Sequence, residues 1–457
     1  MSTYQEFLAA KSQQAGMDGF EPLWLPEFLF DFQRHLVDWS IRKGRAAIFA
    51  DCGLGKTPMQ LVWAENVRRH TNRPVIVLTP LAVSAQTVRE AEKFGIEAKQ
   101  SRDGSVMPNI TVTNYEGLHK FNPDDFAGVV ADEISCLKAF DGTRRKQVTR
   151  FMSKMRYRLG CTATAAPNDF IELGTISEAL GELTQSDMLA RFFLSSDNKR
   201  HSLFKEGDFW NRAKYFFRAH GESAFWRWVC SWSMSLRTPR DLGFDDERFV
   251  LPPLTVTQHV VPTTFRFPGE LFIRIASTLK EQREERKRSI AERCEMAAEL
   301  VKHDKPAIVW CQYNEEGVRL ANMIPDAVEV AGRHTDEEKA DRLNGFALGD
   351  FRVLVSKPKL GALGLNYQHC GHQTFFPSHS FEQWYQAIRR SLRFGRVGPV
   401  NVDVIATEGE EGVTANLQKK QVKADEMFAA LVEHMRQGAG VKIVNKHVNE
   451  TEKPSWL

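Results

Sequence analysis

The chain has 457 residues, 42% of them hydrophobic and 26% charged, a balance that excludes wholesale disorder and leaves room for two or three domains. A net charge of +3 excludes a uniformly basic surface, so any nucleic-acid footprint must be local. Seven scattered cysteines give neither a zinc spacing nor a disulfide framework. No apolar run approaches the ~20 residues of a membrane span, and the opening MSTYQEFLAAKSQQ lacks a signal pattern; no membrane association and a reducing, cytoplasmic setting are expected.

In chain order, residues 1–20 read as a polar lead-in. Phe28-Leu29-Phe30-Asp31-Phe32-Gln33 then opens an amphipathic helix whose apolar face carries Leu36, Val37 and Trp39. Gln33 follows an aromatic just upstream of a glycine loop, and its amide can meet the edge of adenine as both donor and acceptor. The bland alternative is a surface glutamine.

A short apolar run, Ala46 to Phe49, leads into Ala50-Asp51-Cys52-Gly53-Leu54-Gly55-Lys56-Thr57, and a helical pattern follows from Pro58 to Arg69. Strand, glycine loop and helix in that order match a phosphate-binding loop, with Ala50 in the place of the first glycine. Gly53 and Gly55 let the backbone approach a polyphosphate closely. The loop amides, that of Leu54 among them, and the helix start supply positive dipole ends. Lys56 is suited to neutralise the outer phosphates, and Thr57 to offer its hydroxyl to Mg²⁺. The alternative is a chance glycine turn.

Short apolar runs and helical segments then alternate. Pro74 to Pro80, Asn109 to Thr113, Gly128 to Ala131 and Arg158 to Cys161 read as buried strands, the first ending in Thr79-Pro80. That rhythm predicts an α/β domain with a parallel sheet, with polar motifs at strand ends where such sheets bind ligands. Asp132-Glu133 follows one of these strands. Downstream of a phosphate loop, the first acid is placed to hold the Mg²⁺ shell and the second to orient or deprotonate an attacking water. A pair of solvated acids is the alternative.

Residues 170–255 break the rhythm. Trp210, Trp226, Trp228 and Trp232 are interleaved with Arg212, Arg218, Arg227, Arg237 and Arg240, and the segment is expected to be a helical insertion bridging two domains. Such interleaving can serve single-stranded nucleic acid; tryptophans packed as a core are the favoured reading. From Pro268 to Lys302 the sequence is charged and helix-forming, expected as a solvated helix face. A second α/β rhythm follows, with strands at Pro306–Cys311, Ala327–Ala331, Phe351–Ser356, Gln373–Phe376 and Asn401–Ile405. A helix from Phe381 to Ser391 carries Gln386, Arg389 and Arg390, with Arg393 just beyond. A permanently charged guanidinium placed across a cleft can stabilise a transferring phosphate; a basic helix end bonding its own carbonyls is the alternative. Glu411 to Gln437 reads as one amphipathic helix with Leu417, Met427, Leu431 and Met435 apolar, and a polar tail follows Gly438.

Taken together in this order, the Gln33 motif, ADCGLGKT, LTP, TNYEGL, ADEIS, GCTATAAPN, VWCQYN, KLGALGLN and QAIRRSLRFGR resemble the superfamily-two helicase motor, most closely the Swi/Snf-like DNA translocases, including the compact phage-type versions. The resemblance spans roughly residues 28–405. It implies an α/β fold of two tandem RecA-like domains with parallel sheets, expected at 1–169 and 256–437, with the insertion at 170–255 and the tail at 438–457. It further implies ATP and Mg²⁺ between the lobes, held by Gln33, Gly53, Leu54, Gly55, Lys56, Thr57, Asp132, Gly364 and Gln386. Lys56, Glu133, Arg390 and Arg393 would be catalytic. Thr162 and Thr164 would couple hydrolysis to movement, and Thr79, Pro80 and Tyr115 would lie in motifs touching the nucleic-acid backbone. Ile134, Ala362 and Arg396 depart from the usual motif residues. The expected activity is ATP-driven translocation of a monomer along DNA, double-stranded foremost. An RNA-dependent motor and a non-hydrolysing DNA-binding scaffold are the rivals.

Overall fold

The computed structural model describes residues 16–138, 142–166, 170–195, 215–218, 221–262, 279–361, 366–378 and 380–439. Short, mostly apolar runs form the strands, and those inside the sheets are buried along nearly their whole length, as parallel strands covered on both faces must be. In the first lobe the strands are β1 (Arg45–Ala50), β2 (Val75–Thr79), β3 (Ala98–Gln100), β4 (Ile110–Asn114), β5 (Gly128–Asp132) and β6 (Tyr157–Thr162). Two short strands, β7 (Phe193–Ser195) and β8 (Tyr215–Phe217), pair antiparallel to each other. A further strand, β9 (Ser233–Leu236), completes a seven-stranded sheet of order β3-β4-β2-β5-β6-β1-β9. All its pairings are parallel.

The second lobe contains β10 (Leu254–Val261), β11 (Ala307–Trp310), β12 (Ala327–Val330), β13 (Val353–Ser356), β14 (His372–Phe375) and β15 (Val400–Thr407). They form a six-stranded parallel sheet of order β10-β15-β14-β11-β13-β12. Each sheet has an apolar core on either face. The chain is therefore α/β with two parallel sheets, in keeping with two tandem RecA-like domains. No helix among the described residues is long and apolar enough to cross a membrane.

Three expectations are corrected. The described part of 170–255 does not form a separate insertion. Strand β9 hydrogen-bonds along β1 as the edge of the first sheet, and Trp226, Trp228 and Trp232 are buried in the first lobe's core. Their bulk covers a sheet face that a separate body would leave wet. Trp210 and Arg212 lie outside the described residues. The charged stretch before β11 is not wholly solvated. It gives helices Leu279–Arg288 and Ile290–Leu300, in which Glu285, Arg286 and Arg293 are buried. Arg293 Nη2 stands 2.7 Å from Glu316 Oε1, both side chains fully buried; pairing is what permits such burial. Residues 268–278 of that stretch lie outside the described residues.

The third correction concerns the C-terminal helix, Glu411–Ala439. The sequence bounds place it with the second lobe, but it returns to the first. Met427, Phe428 and Leu431 join one core of the first lobe and Met435 the other. Arg237 reaches Asp425 at 2.7 Å to fix the docking. Its expected apolar face is correct: Leu417, Met427, Leu431 and Met435 are all buried.

Candidate functional site

The glycine loop runs from the end of β1 to the helix Lys56–Thr71. Gly53 (φ +91°) and Gly55 (φ +72°) are left-handed, where a side chain strains the backbone. A Cβ on Gly53 would lie 2.8 Å from the Phe394 ring, and one on Gly55 2.3 Å from Gln33 Nε2. Gln33 is buried. Its Oε1 accepts from the Phe30 amide at 3.0 Å and its Nε2 donates to the Leu54 carbonyl at 2.9 Å. Both ends of the amide are thus engaged, the oxygen at the start of its own helix and the nitrogen in holding the loop, and Leu54 itself is buried. Lys56 Nζ donates to the carbonyls of Ala50 (2.9 Å) and Asp51 (3.2 Å).

Asp132 ends β5 and accepts from Gln60 Nε2 at 2.7 Å. Burial, with the neighbouring charge of Glu133, raises its carboxyl to about 6. Glu133 is one of three described non-glycine residues with positive φ, at 52°, a conformation that costs of order 1–3 kcal/mol and tends to persist at functional sites. Its Oε1 accepts from Ser135 Oγ (2.9 Å) and Thr162 Oγ1 (2.5 Å). Ser135 Oγ also lies 3.3 Å from Glu382 Oε1 of the second lobe, and Thr162 Oγ1 lies 3.1 Å from Ser135 Oγ. Each hydroxyl has one proton, so the two hydroxyls cannot serve all these acceptors at once. Thr164 donates its amide to Thr162 Oγ1 at 3.0 Å. These contacts place the two threonines and Glu133 in one network.

From the second lobe, the helix Phe381–Ile388 ends just before Arg390 and Arg393. Both guanidiniums line one cleft of about 840 Å³ with Asn366, facing Gly53, Lys56, Thr57, Asp132 and Glu133 of the first lobe. Burial, then the Arg390 charge, lowers Arg393 to about 10. Two cations crowded into a desolvated wall mark a place suited to an anion. Gln386 is buried one turn before Arg390 and is not among the residues lining the cleft. Gly364 lies outside the described residues.

Sequence reasoning missed what joins the lobes. Arg389 Nη2 stands 2.9 Å from Asp51 Oδ2, and the Tyr385 hydroxyl donates to Asp51 Oδ1. Burial works against the Arg389 charge, and Asp51 and Tyr385 more than offset it, leaving the group above its usual value. Phe394, two residues after Leu392, is buried in the first lobe's core beside Phe249. Lys138 meets Glu382 at 2.9 Å. Asp51 sits inside the loop motif and Arg389 beside Arg390, so position was a signal, but nothing local indicated that they pair.

The surface contacts expected of Thr79 and Tyr115 are corrected. Thr79 is fully buried with its hydroxyl 2.8 Å from Ser84 Oγ. Tyr115 is buried, and its hydroxyl donates to the Asp132 carbonyl at 2.8 Å. Both side chains brace the strand ends from within. Pro80 lines the arginine-walled cleft. A second groove, of about 820 Å³, also crosses the lobes. It is lined by Arg89 and Arg102 from one side and Lys339 and Lys359 from the other, and Arg89 donates across it to Asn344 at 3.1 Å.

Two parallel α/β lobes meeting at a glycine-loop cleft are the class that fold and site define. No protein-family model matches the chain, and no curated protein matches it.

Proposed function

We propose that the chain is a nucleic-acid-dependent ATPase that translocates along DNA, double-stranded foremost. One observation carries the reading: a single cleft lined by Lys56, Thr57, Asp132 and Glu133 from one lobe and by Arg390 and Arg393 from the other. The residues fit a magnesium nucleotide. Two left-handed glycines leave a cradle without Cβ atoms, and Lys56 faces two arginines across it. Among the described residues no cage of three or more His, Cys, Asp or Glu is present. That suits Mg²⁺, which keeps its waters and takes one or two protein ligands with substrate phosphates; Thr57 and Asp132 would hold it. Bound there, the ion would neutralise charge developing on the phosphates.

The chain's own groups do the rest. Lys56, Arg390 and Arg393 hold and neutralise the phosphates, and Glu133, oriented by Ser135 and Thr162, positions and deprotonates a water. Loss of the phosphate bridge weakens the tie between Lys56 and the arginines, and the lobes part. Thr162, Ser135 and Glu382 carry the state of Glu133 to the second lobe. The cationic groove crossing both lobes is suited to a phosphate backbone, with little sequence preference. The setting inferred is the cytoplasm, with the chain acting as a monomer.

ATP hydrolysis is measured with no polynucleotide, duplex DNA, single-stranded DNA and RNA. Duplex DNA should give the largest stimulation. Lys56→Ala should abolish turnover, and Glu133→Gln should keep nucleotide binding while losing at least about 10²-fold in rate. Greater stimulation by RNA would favour an RNA-dependent motor. Absence of hydrolysis with every polynucleotide would leave a scaffold.

A further inference from the structure

We infer that the helix Gly142–Ser153 of the first lobe is a second nucleic-acid contact, made with the far strand of a duplex. The inference rests on the DNA-motor reading and extends it beyond the groove between the lobes. The helix reads GTRRKQVTRFMS, with four cations and no acid. Val148, Phe151 and Met152 turn inward to the first lobe's core. Lys146 and Arg150 lie one turn apart on one face of the helix, and Lys154 follows in the turn just after it. All three are exposed. They make no ion pair with any described residue, and the nearby Glu116 stands 3.8 Å from Arg144 instead. A merely solvated helix face usually intersperses both signs.

These cations line an open groove of about 940 Å³ together with His119. At 1.5 Å rise per residue the stripe is ~12 Å long, and its three cations can each meet a phosphate of one strand. The wall of this groove is tied to the wall of the interlobe groove within the first lobe. Lys120, next to His119, donates through Nζ to the Arg102 carbonyl at 2.5 Å, and Arg102 lines the interlobe groove. The stripe therefore lies on the first-lobe side of the interlobe groove. A single strand lying between the lobes does not need it. A duplex carries its second backbone to one side, where the stripe meets it. The first lobe then keeps hold of the duplex while the second moves.

The full-length triple variant Lys146→Glu, Arg150→Glu, Lys154→Glu tests this, since exposed cations can be reversed without touching the core. Binding of a short blunt duplex and of the matching single strand is followed by fluorescence anisotropy across a salt series. Duplex affinity should fall at least tenfold, and its salt slope should lose about 2–3 units, at ~0.9 per phosphate contact. Single-strand affinity and DNA-free ATPase should stay within about twofold. An unchanged duplex Kd, or an equal loss on the single strand, would overturn the inference. Arg102→Glu with Lys359→Glu separates the two readings. If that pair abolishes DNA stimulation while the stripe variant does nothing, the second contact is wrong and the motor stands. If the unaltered protein neither binds DNA nor responds to it, the motor reading itself fails.

Discussion

Asp132 shows how one buried carboxyl can report on the cleft. Its pKa lies at about 6 against an ordinary 3.8 because burial and Glu133 oppose its charge. The folded chain therefore holds this proton more tightly than the unfolded chain. Stability from this group falls as pH rises from about 4 to about 6 and then stays level. A divalent cation opposes that loss by binding the charged form. Magnesium nucleotide should accordingly raise the melting temperature more at pH 7.5 than at pH 5, and Asp132→Asn should shrink the difference. If Asn leaves the pH dependence of the shift unchanged, Asp132 is not in the ion's shell.

At the scale of elements, the helix Phe381–Ile388 and the two turns after it are held from both sides. Asp51 and Tyr385 fix Arg389, and Gly53 and Phe249 receive Phe394. The two arginines of the cleft sit between these anchors. Asp51→Asn or Arg389→Met alone should cost about 3–5 kcal/mol, because each strands a buried charge, and the double variant should cost less than the sum. Urea unfolding measures this directly, and strict additivity would show that the pair does not couple. This tie was invisible in sequence. Asp51 reads as a filler position of the loop, and Arg389 as one more cation at a helix end. Their 338-residue separation (389 − 51) is closed only by the mating of the lobes. The glycine loop, the strand ends and the arginine-bearing helix were legible, because each is defined by neighbours a few residues away.

At the scale of the whole molecule, the C-terminal helix leaves the second sheet and docks on the first. Leu431 is fully buried there, so Leu431→Ala should destabilise by about 2–5 kcal/mol. Hydrogen exchange should show the loss in β1, β6 and β9 rather than in the second sheet; a loss centred on β11 and β13 would show that the helix does not support the first lobe. The amphipathic pattern of this helix specified that one face would be buried, but not against which lobe. Likewise the composition of 170–255 specified aromatic packing, while the place of β9 at the sheet edge followed only from its pairing with β1. The sequence alone determined the α/β class, the buried central strands and the order of the cleft motifs, since hydrophobic period and turn chemistry act over a few residues; the strands Ala98–Gln100, Ser233–Leu236 and Leu254–Val261 carry no continuous apolar run to mark them. The tertiary structure alone decided that Tyr115 braces Asp132 from within, that Gln33 grips the loop, and that Asp51 meets Arg389. Those contacts depend on which surfaces exclude water together, and long-range packing settles that.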